Sequence, residues 1–190
     1  LTDIVLGFEY QLPWLERDAI LRVRAPYTTG TVSVTRGSTT VTGTSTLWTT
    51  ADAYGDNNAR VGGKISFGGS DIYTVTAVGG AGTITLNTRY VADEDLTDSS
   101  YTYFEDEYAL ASDFLKPIDV RSFTSAYNLP IIGRNEFRRM FPRPNVAGKP
   151  STATLLDLTY IGNSTEVRKI QLYPYPSSEY LLPYSYVTQN

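Results

Sequence analysis

Carboxylates are the only groups in this chain with the numbers and the chemistry for catalysis: its 190 residues include 20 Asp and Glu but no His and no Cys. A Cys nucleophile, a Ser-His-Asp triad, a His-assisted general base and a Cys/His zinc site are therefore excluded. Two carboxylates at a suitable separation would suit a glycan hydrolase. The acids do cluster. Asp93, Glu94, Asp95, Asp98, Glu105, Asp106, Glu107 and Asp113 lie in a stretch with no Lys or Arg between Arg89 and Lys116. Acidic clusters in connecting segments ordinarily form solvated or ion-pairing surface, so residues 91–113 read as a strongly negative connector. The expectation is a protein that is not an enzyme.

Other chemistry-bearing patterns give way to plainer readings. Asp52, Asp56, Asn57 and Asn58 are oxygen-rich enough for calcium, but they lack the glycine and distal Glu of an EF-hand and read as an Asx-rich turn. The glycines at 37, 62–63 and 79–82 sit between strands with no Walker or dinucleotide pattern, so they read as turns and no cofactor is expected. Arg134, Arg138, Arg139 and Arg143 form a basic cluster. It suits phosphate, including that of DNA in a channel, or carboxylates on a neighbouring subunit. The second is preferred, because a heterologous assembly brings unlike patches of adjacent copies together. The candidate subunit interface is thus these four arginines with Asp93, Glu94, Asp95, Glu105, Asp106 and Glu107. A net charge of −4 argues against a dominant nucleic-acid role.

The elements that must position these groups follow from periodicity. Leu1, Ile4, Val5, Phe8 and Leu12 share one face of a helix that Pro13 ends, and the absence of an initiator Met reads as a processed or truncated start. A strand is expected at 19–25, with Leu21 and Val23 opposed to Arg22 and Arg24. Short strands then follow at 31–35, 38–42, 63–67, 72–78 and 83–86, too close together for crossover helices. Beyond them come a strand after Pro117, a helical turn or two at 135–141 ended by Pro142 and Pro144, and a loop at 144–150. Strands at 153–160, 166–172 and 179–187 read as a closing antiparallel meander, with Pro183 placing the last at an edge. The expected fold is mainly β: an antiparallel β-sandwich or meander formed by residues 1–27 and 104–190, a small β-barrel-like domain inserted at 28–103, and a short N-terminal helix. No apolar run approaches the roughly 20 residues of a membrane span. The 15 Tyr suit surfaces that meet other proteins.

Two stretches carry a resemblance. Gly30-Thr-Val-Ser-Val-Thr-Arg-Gly-Ser38, continued by Val41-Thr-Gly-Thr-Ser-Thr-Leu-Trp48, is similar to a β module of phage tail and head-tail joining proteins. The run from Asp113-Phe-Leu-Lys-Pro-Ile-Asp-Val-Arg121 through Phe141-Pro142, Gly148-Lys-Pro150 and Leu172-Tyr-Pro-Tyr-Pro176 to Tyr180-Leu-Leu-Pro-Tyr-Ser-Tyr186 resembles the closing β domain of phage head-to-tail adaptors. That resemblance implies a structural virion protein, made in the host cytoplasm and placed at the head-tail junction. Its copies would form a ring, commonly twelvefold, that contacts portal and tail proteins and touches DNA only as transient, non-specific passage. Such adaptors carry helices ahead of the β region, and here only one short helix is expected. Two alternatives stand beside this reading. One is another virion component such as a tail-fibre, baseplate or decoration protein. The other is a carbohydrate-binding β-sandwich whose Tyr residues and Trp14 or Trp48 stack on sugar rings.

Overall fold

A computed structural model describes residues 13–68, 71–120, 128–143, 145–161 and 165–188, and the expected helix at 1–12 lies outside them. The fold is mainly β. After a single 3-10 turn at Pro13–Leu15 comes β1 (Glu16–Val23), whose inward residues Leu21 and Val23 alternate with Arg22. The chain then leaves this strand to build a separate sheet.

That sheet contains β2 (Thr31–Val34), β3 (Thr40–Thr44), β4 (Lys64–Ser66), β5 (Tyr73–Gly80), β6 (Thr83–Leu86), β7 (Leu96–Ser99) and β8 (Thr102–Phe104). Its order is β7-β2-β3-β6-β5-β4-β8, antiparallel throughout and curled into a half-barrel. Period-two alternation sends Val32, Val34, Val41, Ile65, Val75, Ile84 and Leu86 inside. They surround Trp48, which is fully buried, donates its indole N–H to the Tyr101 hydroxyl at 3.1 Å and meets that ring edge-on. Each large apolar side chain enclosed this way stabilises the lobe by about 1.5–3 kcal/mol. The strand expected at 38–42 starts two residues later. Ser38 closes a turn instead: its N–H donates to the Thr35 carbonyl while its hydroxyl accepts the Thr40 N–H.

The rest of the chain supplies β9 (Glu107–Ala109), β10 (Phe114–Val120), α1 (Arg134–Met140), β11 (Ala147–Gly148), β12 (Thr152–Ile161), β13 (Thr165–Tyr173), β14 (Tyr175–Pro176) and β15 (Tyr180–Thr188). Two antiparallel three-stranded sheets, β1-β15-β10 and β12-β13-β9, enclose one core between them. Leu21, Leu182, Tyr184, Phe114 and Val120 come from the first, and Tyr108, Ala153, Ile170 and Leu172 from the second. A two-residue parallel pairing joins β11 to β14. Helix α1 anchors on Phe137, which meets Phe141 edge-on, and Phe141 in turn stacks on Tyr173 at 3.8 Å.

Three expectations need correction. The last strand does not continue the β12–β13 hairpin; β15 runs between β1 and β10, so Pro183 lies in a central strand. On β1 it stands opposite Ile20. Next, β10 begins before Pro117 and carries that proline at a bulge in a flanking strand, where a missing N–H costs little. Finally, the acidic stretch is not a mere connector, since β7, β8 and β9 all fall within it. Among the described residues no helix is long and apolar enough to cross a membrane.

Candidate functional site

Among the described residues the half-barrel core and the sandwich core have none in common. Two adjacent chain segments join them, and Tyr27 and Tyr103 exchange both backbone hydrogen bonds there, at 2.7 and 2.9 Å. Charge collects around this neck. Arg22 alternates with Leu21 and Val23 on β1, so strand geometry sends its guanidinium away from the sandwich core, and Arg24 follows directly after the strand. Arg22 donates to Asp52 at 2.7 Å, Asp56 at 3.0 Å and Glu179 at 2.9 Å, and its guanidinium lies over the Tyr54 ring at 3.8 Å. The receiving loop is shaped by Asp52 itself, whose Oδ1 accepts the N–H groups of Tyr54 and Asp56.

Glu105 occupies the middle of the seam and is only 8% exposed. Arg60 grips it with two bonds, Nε to Oε1 at 3.1 Å and Nη2 to Oε2 at 2.5 Å, while Arg24 reaches Oε1 at 3.4 Å. The Tyr103 hydroxyl donates to the same carboxylate at 2.9 Å. A Cβ on Gly63 would overlap that hydroxyl, so glycine is required at this position by close approach alone. Asp106, 1% exposed, accepts from Lys64 at 2.6 Å and Gln171 at 2.8 Å, both at Oδ2. Its other oxygen and the Arg22 Nε are buried without a hydrogen-bond partner.

The electrostatics follow this geometry. The Arg22 hydrogen bond holds the Asp52 carboxyl well below the usual carboxylate range, and Glu179 with Asp52 raises the Arg22 pKa. Burial pushes the Tyr103 and Tyr108 hydroxyls up, so both stay protonated as donors near neutrality. The cluster consists of interlinked ion pairs between the arginines, Lys64 and the surrounding carboxylates. Its evident capacity is to join two lobes.

The residues singled out from the sequence fall in three places. Glu105 and Asp106 are interior groups paired within the chain, and Glu107 lies 3.7 Å from the Lys64 ammonium, so these three are not a free acidic face. Asp93, Glu94 and Asp95 are exposed on the half-barrel, where the Arg36 N–H donates to Asp95 and its guanidinium to the Asp93 carbonyl. Of the arginines, Arg134 pairs with Asp157. Arg138, Arg139 and Arg143 are exposed and make no ion pair among the described residues. Asp52 and Asp56 form an Asx turn whose outer oxygens face Arg22, and no group of three metal-ligating side chains occurs among the described residues. Trp48 is sealed inside, so of the two tryptophans Trp14, 66% exposed, is the one open to a ligand.

Sequence reasoning missed Arg22, Arg24, Arg60, Lys64, Tyr103, Gln171 and Glu179 as a set. The available signal was two arginines two apart, Arg22 and Arg24, together with two aspartates four apart, Asp52 and Asp56. Comparison with protein-family models, curated proteins and solved structures finds no match.

Proposed function

We propose that the chain is a structural virion protein, a head-to-tail adaptor whose copies form a ring between portal and tail around a channel for DNA. The observation that carries this reading is the separation of exposed charge. Arg138, Arg139 and Arg143 lie exposed on the sandwich, and Asp93, Glu94 and Asp95 lie exposed on the half-barrel. Unlike patches on different lobes of one chain favour a heterologous contact, in which each copy offers its basic face to the acidic loop of the next. The sequence resemblance to adaptors and the mainly β fold support the same role. Chemistry on a bound substrate is not part of it.

Mass measurement of the purified protein tests the proposal. A closed ring, twelvefold as in the family the chain resembles, is expected, and a monomer at micromolar concentration would overturn it. The variant Arg138→Glu/Arg139→Glu should weaken assembly about tenfold or more. Undisturbed assembly would remove the charge pairing. Exposed Trp14 favours a second reading, sugar binding, which requires glycan affinity that disappears in Trp14→Ala.

A further inference from the structure

We propose that the seam is an ionic latch: the half-barrel and the sandwich pivot about the Tyr27–Tyr103 neck, and the contacts of Arg22 with Asp52 and Asp56 hold them in one relative orientation. This inference rests on the geometry between the lobes and does not depend on the adaptor role.

Connectivity supplies the pivot. The chain passes between lobes near residues 24–28 and again near 104–106, and the Tyr27–Tyr103 backbone pair ties the two passages side by side. Two neighbouring passages define an axis without fixing the angle about it. Beside them Phe104, at the end of β8, stacks on Tyr175 of β14 with centroids 3.9 Å apart and planes 18° apart. A flat ring stack next to the axis keeps its buried area through small rotations, so it acts as a bearing.

The angle is fixed by charge. Arg22 on the sandwich reaches Asp52 and Asp56 of the half-barrel, and Lys64 of the half-barrel reaches Asp106, which the sandwich holds by the Leu172 N–H bond to its carbonyl. Contacts between lobes that are mainly polar are the kind that permit relative motion, unlike a shared apolar core. The Arg22 contacts are the more exposed ones, with the Asp52 and Asp56 side chains 21% and 37% exposed, whereas Glu105 and Asp106 at the neck are shielded. Added salt therefore weakens the outer contacts before the inner ones.

The closed arrangement leaves the Arg22 Nε and the Asp106 Oδ1 buried and unsatisfied. Opening would hydrate the Arg22 Nε, which offsets part of the lost ion pairing and narrows the free-energy gap between closed and open forms. A latch needs that narrow gap.

The absence of Cys makes a direct test simple. Thr35→Cys in the half-barrel and Asn135→Cys on α1 replace exposed residues, and spin labels there report the distance between lobes by pulsed dipolar spectroscopy. At low salt one narrow distance distribution is expected. In about 1 M salt, where screening acts within about 3 Å, the distribution should widen about twofold or split. The doubly labelled Asp52→Asn/Asp56→Asn chain should do the same at low salt. A distribution unchanged by salt would overturn the latch, as would a broad one at low salt in the labelled chain with Asp52 and Asp56 intact. Should the Asn variant fail to fold, the salt titration decides alone.

Discussion

Glu105 shows why position rather than charge count decides what an acid does. It and Glu179 both meet arginines, yet Glu105 is 8% exposed between Arg60, Arg24 and Tyr103, while the Glu179 side chain is 41% exposed. Removing one partner of a buried pair leaves the other charges desolvated and typically costs about 3–5 kcal/mol, whereas an exposed pair contributes at most about 1 kcal/mol. Glu105→Ala should therefore lower the unfolding free energy by about 3 kcal/mol or more and Glu179→Ala by less than about 1 kcal/mol. Urea titrations of the two variants check this, and equal losses would count against a buried role for Glu105. The sequence did not reveal this difference. Glu105 and Asp106 stand in a run of acids that reads as solvated, and their partners Arg60, Lys64 and Gln171 are 42 to 65 residues distant in the chain.

At the scale of elements, period-two alternation was the legible signal, and it located β6 without error and β2, β4 and β5 within two residues. It missed β7 and β9, short strands inside the acidic run that carry Asp98 and Glu107. The alternation of Tyr101 and Tyr103, both buried, was a usable signal for β8 that the surrounding acids obscured. Which strands pair was harder to read, because alternation gives a strand its faces but not its neighbours. Pro183 then misdirected the placement of β15. The separation of the two cores has a measurable consequence. Trp48→Ala should cost about 3–5 kcal/mol, and that loss should fall on the half-barrel. Hydrogen exchange resolved by segment should show faster exchange across β2 to β8 with β12 and β13 little changed. Acceleration of equal size in both lobes would contradict two separate cores.

For the whole molecule, pH acts from both sides. Asp52 is held low by Arg22, and Asp113 by the hydroxyls of Tyr186 and Thr188. A depressed carboxyl pKa stabilises the fold above the unfolded value and loses that contribution as pH falls through the folded one. The melting temperature should therefore hold near neutrality and drop below about pH 4. Burial raises the Tyr186 hydroxyl to about 12, so its contribution is complete below the ordinary tyrosine value and lost as pH rises from about 10 towards 12. Thermal melts across this range check both limbs; a melting temperature level from about pH 5 to pH 2.5 would refute the acid limb.

The central place of β15 also orders events during synthesis. It follows every other described strand in the chain, yet β1 and β10 pair only through it. On the ribosome the contiguous half-barrel has all of its strands in hand once Phe104 has emerged, and it can close early. The two flanking strands of the sandwich must meanwhile wait with open ladders until residues 180–188 arrive, so the nascent chain passes through a stage with one lobe finished and the other vulnerable to misassociation.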